Sequence, residues 1–167
     1  DKARLSKRHG ATSIMAYKDM GYLPDAMVNY LVRLGWSHGD QELFSRAELI
    51  EKFSWKNVQT SAAVFNPDKL SWINAEYLKT SPPAEIAQAL VPLLEQAGLK
   101  EEVRAVSTEW LAQLVVLVKE RTKTLVEMVH WVTPYFGQAV VCDEEAAKKF
   151  LTATQAPVLA KLLSRFE

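Results

Sequence analysis

Proline and cap residues punctuate this chain into helices, and that punctuation limits its fold more than any other feature. Asn66-Pro67-Asp68 precedes Leu70, Ile73, Tyr77 and Leu78, an apolar set spaced for one helical face. An Asn side chain accepts a free amide hydrogen at a helix start, and Pro fits the first helical position, where its missing N–H would have had no partner. Pro24 with Asp25 opens another helix, with Met27, Val28, Leu31 and Leu34 as its apolar stripe and Gly35 as its stop. Ser45 with Glu48 spells a capping box for a helix reaching about Phe53, and Thr124 with Glu127 spells a second for a helix from Leu125 to a stop before Pro134. Asp143 caps a further helix through Leu151, and Pro157 opens the last one.

Thr80-Ser81-Pro82-Pro83 is the clearest boundary, because residues before proline are pushed out of helical geometry. Beyond it, Ile86, Leu90, Leu93 and Leu94 make a stripe ending at Gly98, in which Pro92 predicts a kink or a break. Val103, Val106, Trp110, Leu114, Leu117 and Val118 then continue one helical period. There is no convincing strand pair. The best extended candidate runs from Phe136 to Val141. The predicted fold class is mainly α.

Composition narrows the function. Lys and Arg total 20 against 20 Asp and Glu, so the chain has no general basic excess, although a local basic patch remains open. At 49% hydrophobic and 24% charged it is too apolar for a disordered chain. The single Cys excludes an internal disulfide and a cysteine zinc site, which suits a reducing, cytoplasmic setting, and Cys142 reads as buried filler. No metal site is expected, and no apolar run reaches the roughly 20 residues that span a bilayer. The opening Asp1-Lys2-Ala3-Arg4 is neither an initiator Met nor a secretory signal, so the sequence reads as a piece of something longer.

Two stretches can carry chemistry. In Arg4-Leu5-Ser6-Lys7-Arg8-His9-Gly10, Lys7 offers a mobile ammonium to a polyphosphate, Ser6 a hydroxyl and Gly10 a permissive backbone. The same residues also suit a solvated loop, and they lack the spacing of a P-loop. Arg121, with Lys119, Thr122 and Lys123 around it, falls in the joint between two predicted helices. There it is either a surface arginine or a planar fork facing a base edge or a phosphate. Trp72 and Trp110 lie on apolar stripes and read as core, while Trp131 is unsettled. His38 reads as a turn residue and His130 as a partly buried helix histidine.

Arg4-Leu5-Ser6-Lys7-Arg8 resembles the "KMSKS" signature loop of class I aminoacyl-tRNA synthetases. Leu5 to Ser13 is similar to the bacterial glutamyl-tRNA synthetase form of that loop. Gly21-Tyr22-Leu23-Pro24-Asp25-Ala26, Asn29-Tyr30-Leu31, Leu34 to Asp40 and Phe65 to Asn74 follow in that family's order and approximate spacing. The resemblance is strong from Lys2 to Leu78 and looser from Pro82 onward. It implies a helical stem-contact domain followed by a helical anticodon-binding cage. The expected divisions are residues 1–80, residues 81–142, and residues 143–167 as the truncated start of a further subdomain.

The resemblance also implies a parent enzyme that activates glutamate with ATP and Mg and passes the glutamyl group to tRNA(Glu). Lys7 then corresponds to the catalytic signature lysine at the ATP phosphates, where cations offset growing charge. Ser6 helps hold the loop closed, Arg4 stands where the generic signature has its first lysine, and Arg8 replaces the final serine. Arg121 matches the position of an arginine that reads the third anticodon base, with Lys119, Lys123 and Thr122 as secondary contacts. The chain departs from the family in lacking a "HIGH"-type motif. Its histidines are His9, His38 and His130, none in that context. The chain alone is therefore expected not to aminoacylate, to bind no cofactor tightly, to be a monomer and to have no membrane role. Two rivals remain. One is a standalone helical interaction module, which salt-insensitive binding would distinguish. The other is an independent ATP-using enzyme, for which only one edge of a nucleotide pocket is present.

Overall fold

The computed structural model describes residues 13–59, 63–137 and 142–165, and its architecture is almost entirely α-helical. Among the described residues the helices are α1 (Ile14–Asp19), α2 (Pro24–Arg33), α3 (Arg46–Lys52), α4 (Pro67–Thr80), α5 (Pro83–Gln96), α6 (Lys100–Ala105), α7 (Thr108–Val118), α8 (Leu125–Val132), α9 (Glu144–Phe150) and α10 (Ala156–Leu163). They include no β-sheet, only an isolated antiparallel bridge between Trp36 and Val58. Most of the Phe136–Val141 stretch falls outside the described residues.

Local chemistry sets most helix starts. Ser45 Oγ accepts from Glu48 N at 3.2 Å and the Glu48 carboxylate accepts from Ser45 N at 2.8 Å, closing the box at α3. Hydrogen bonds to that carboxylate, first from the Ser45 amide and then from Gln41 and Lys52, hold its pKa down at about 2. Asn66 caps α4 by accepting from Lys69 N at 3.1 Å, and its own N–H donates to the Tyr30 hydroxyl at 2.6 Å. Asp143 caps α9 and Pro157 lies in the first turn of α10.

Several expectations are corrected. The buried face of α2 is Ala26, Met27, Asn29 and Tyr30, whereas Val28 and Leu31 are exposed. The expected continuous helix from Val103 to Val118 breaks at Val106, because Ser107 accepts from Trp110 N and starts α7 anew. The helix α5 runs through Pro92 without a break; the carbonyl that proline leaves without a donor belongs to exposed Gln88 and can meet water. Cys142 is exposed rather than buried filler, and His130 is exposed on α8. Trp72 also stands 41% exposed, with the Lys69 ammonium 4.3 Å above its ring.

The described residues form two compact units, divided between Phe136 and Gly137. In the first, α2 packs on α4, and α5 packs on α6, α7 and α8. One continuous core runs from Leu23 and Tyr30 through Ile73, Leu78, Ile86 and Leu90 to Leu114, Met128 and Val132. The Thr80–Pro83 junction therefore joins two helices inside one unit. Ser81 N and Oγ both donate to Tyr77 O there, at 2.9 and 2.7 Å. Trp36, Phe44 and Leu49 make a smaller cluster under α3. The second unit holds α9 and α10, in which no described side chain is buried. No described helix is long and apolar enough to cross a membrane.

Candidate nucleic-acid interface

The connection between α7 and α8 carries the cations singled out in the sequence. The Lys119 amide still bonds to Val115 O and the Arg121 amide to Val118 O, each at 2.9 Å, so the chain leaves α7 in a tight turn. Thr124 Oγ1 then accepts from Glu127 N at 3.1 Å to start α8. The Glu127 carboxylate accepts from Lys123 N at 2.7 Å, one residue earlier than a standard capping box requires. The connection is thus tied to both flanking helices through its backbone.

The four candidate side chains in this segment behave differently. Arg121 and Lys123 are exposed, and among the described residues neither is in an ion pair. Lys119 turns inward and donates from Nζ to Lys79 O at 2.6 Å, at the carbonyl end of α4 where a cation is favoured. Thr122 departs from the surface role expected of it. It is 1% exposed and its Oγ1 has no hydrogen-bond partner among the described residues. The described geometry leaves Arg121 and Lys123 as the donors that face solvent. Arg4, Ser6 and Lys7 lie outside the described residues.

Two residues that sequence reasoning left out of the site hold this connection from the far side. Asn74 of α4 is fully buried; its Oδ1 accepts from Leu23 N at 2.8 Å and its Nδ2 donates to Lys123 O at 2.6 Å. Gly21 O accepts from Leu125 N at 2.9 Å. Gly21 has φ +83°, and a Cβ there would lie 2.5 Å from Val126 N and 2.8 Å from Leu125 N. A signal for Asn74 was present, since it follows Leu70 by four residues and fills a slot of the apolar stripe. A polar group in such a slot needs buried partners.

A second polar set lies along α2 and α4. Arg33 and Lys69 both pair with Glu42, at 3.3 and 3.2 Å. Burial works against the Glu42 carboxylate, but hydrogen bonds from Arg33 and Lys69 outweigh it and lower its pKa. Burial pushes the Tyr77 hydroxyl up to about 12, so it remains a donor throughout the ordinary pH range. Among the described residues, no three His, Cys, Asp or Glu side chains are placed to hold a metal ion.

The family model for the catalytic domain of class I tRNA synthetases (E and Q) matches residues 1–72, and that for an anticodon binding domain matches residues 85–167. The glutamate–tRNA ligase of Geobacter sulfurreducens is 52% identical over 167 residues. The chain belongs to the bacterial glutamate–tRNA ligase family of class I synthetases. Glutamate–tRNA ligase 1 of Syntrophus aciditrophicus is 55% identical over 152 residues, covering 91% of this chain and 31% of that relative. A crystal structure of a glutamate tRNA ligase from Elizabethkingia meningosepticum, in complex with its amino acid, superposes with a TM-score of 0.72 at 28% identity. It covers 99% of this chain and 35% of that one. The chain accordingly spans about a third of the length of the ligases it matches; the Geobacter sulfurreducens match covers all of this chain and 35% of the relative. The first family model ends within α4 and the second begins within α5, whereas packing keeps both helices in one unit.

Proposed function

We propose that this chain is the tRNA-binding portion of a glutamate–tRNA ligase and reads the anticodon of tRNA(Glu) through Arg121. The observation that carries this reading is the exposed guanidinium, in no ion pair among the described residues, at an interhelical joint inside the segment matched by the anticodon-binding model. Unpaired anticodon bases present their edges, and an arginine fork can bond to such an edge. Lys123 adds a cation beside it for the phosphate backbone. Residues 1–80 form the signature loop and stem-contact domain, residues 81–142 the first anticodon subdomain, and residues 143–167 the start of another.

In the whole enzyme, glutamate, ATP with Mg, and tRNA(Glu) are the reactants. Lys7 serves the ATP phosphates, with Ser6 and Arg4 alongside it in the loop. The chain by itself does not aminoacylate, acts as a monomer and works in the cytoplasm.

Fluorescence anisotropy with a tRNA(Glu) anticodon stem-loop at two salt concentrations tests the reading. Binding is expected to saturate, weaken with salt and favour the native third base. Arg121→Ala should cost about 1–3 kcal/mol of that preference and leave the fold intact. Salt-insensitive binding, or equal affinity for both bases, would refute it.

A further inference from the structure

We propose that Asn74 is a positioning residue for base selection, fixing the Lys119–Thr124 connection and with it the direction in which Arg121 leaves the surface. The proposal rests on the anticodon reading of Arg121. Four backbone amides of this connection and its flanks, those of Lys119, Arg121, Lys123 and Glu127, bond within α7, α8 or the connection itself. Those bonds move with the two helices and do not set where the connection stands against the rest of the unit. Among the described residues three hydrogen bonds do: Lys119 Nζ to Lys79 O, Leu125 N to Gly21 O, and Asn74 Nδ2 to Lys123 O.

Of these three, the Asn74 bond alone joins a fully buried side chain to backbone two residues from Arg121. The orientation of its amide is determined by its partners. Leu23 N–H can only donate and so faces Oδ1; the Lys123 carbonyl can only accept and so faces Nδ2. One planar group therefore sets the Leu23 backbone and the Lys123 backbone in a single geometry. The connection needs such an outside hold, because it buries the Thr122 hydroxyl with no partner among the described residues. A lone chain would avoid that cost by turning the hydroxyl to water.

The two ends of the amide can be separated by substitution. Asn74→Asp keeps an acceptor for Leu23 N–H and removes the donor to Lys123 O, whereas Asn74→Ala removes both. Leu49→Ala, in the small cluster under α3, serves as a destabilised control remote from the connection. Each variant is titrated with the native anticodon stem-loop and with a third-base variant. Both Asn74 variants are expected to lower the ratio of the two affinities about tenfold, as misplacement of a recognition group does. Leu49→Ala should keep the ratio. Folded Asn74 variants with an unchanged ratio would overturn the proposal.

Amide hydrogen exchange of the unsubstituted chain tests the hold without RNA. Leu23 and Leu125 amides are expected to exchange as slowly as the core amides of α4. Fast exchange there would overturn the proposal even if no Asn74 variant folds. Slow exchange in a chain with no base preference would leave the hold standing and remove the anticodon reading, and base selection with it.

Discussion

The segments 34–45 and 119–124 both connect helices, and a buried asparagine holds each of them. Asn29 donates from Nδ2 to Glu42 O at 2.9 Å and accepts from Phe44 N at 2.7 Å, partners 13 and 15 positions away. Tyr77 supports the same hold, donating to Phe44 O and lying 3.1 Å from Asn29 Oδ1. The partners of Asn74 lie 51 and 49 positions away, and among the described residues the one other side chain bonded to them is Glu127, which sits on the flanking helix α8 and moves with the connection. The same amide chemistry thus closes a local loop in one place and joins distant segments in the other. Tyr77 and Asn74 lie three positions apart on α4, so one helix serves both connections. Redundancy belongs to the local hold, and sensitivity to the distant one.

Gly21→Ala should break this comparison most sharply. Its new Cβ would meet the backbone of Leu125 and Val126 at a left-handed φ, so a loss of about 4 kcal/mol is expected in denaturant unfolding. The 119–124 side should loosen while the cluster around Trp36 and Phe44 keeps its near-ultraviolet dichroism. Tyr77→Phe acts on the other side and should cost about 1 kcal/mol, because Asn29 still holds Phe44 N. A larger loss than at Gly21 would reverse the ranking of the two connections. Glu48→Gln should have the smallest effect and shows it through pH. The folded carboxyl sits at about 2, below its ordinary 4.5. Its contribution is therefore present above about 4.5 and disappears as pH falls toward 2. Melting temperatures of the original and substituted chains should differ at neutral pH and converge across that window.

Helix starts were legible because a cap and its partner lie within one turn. Ser45 with Glu48, Asn66 with Lys69 and Asp143 with Ala146 are complete in a few residues. Ser107 follows the same rule, but no Glu or Gln stands at the position that would complete a box, and the apolar spacing ran across it. The buried face of α2 was misread because Val28 and Leu31 are as apolar as the residues that are buried. What turns the helix is Asn29, whose partners arrive from the following connection. The same distance effect hid the second half of the candidate site. Arg121 and Lys123 were visible as cations in a joint, but the inward turn of Lys119 depends on a carbonyl 40 positions earlier. Nothing adjacent to Thr122 marks it for burial.

The bond between Gly21 and Leu125 has a further consequence, for the order in which the chain folds. Its ends lie about 100 residues apart, so closing it costs more chain entropy than pairing α2 with α4 or α5 with α7. Local helix pairs should form first, and the seam through Gly21, Asn74 and Leu125 should close after the rate-limiting step. Disturbing that seam would then speed escape from the native state and leave the rate of reaching it nearly unchanged. In stopped-flow experiments with Asn74→Asp, the unfolding limb should shift and the refolding limb stay in place. A slowed refolding limb would instead assign the seam to the nucleus.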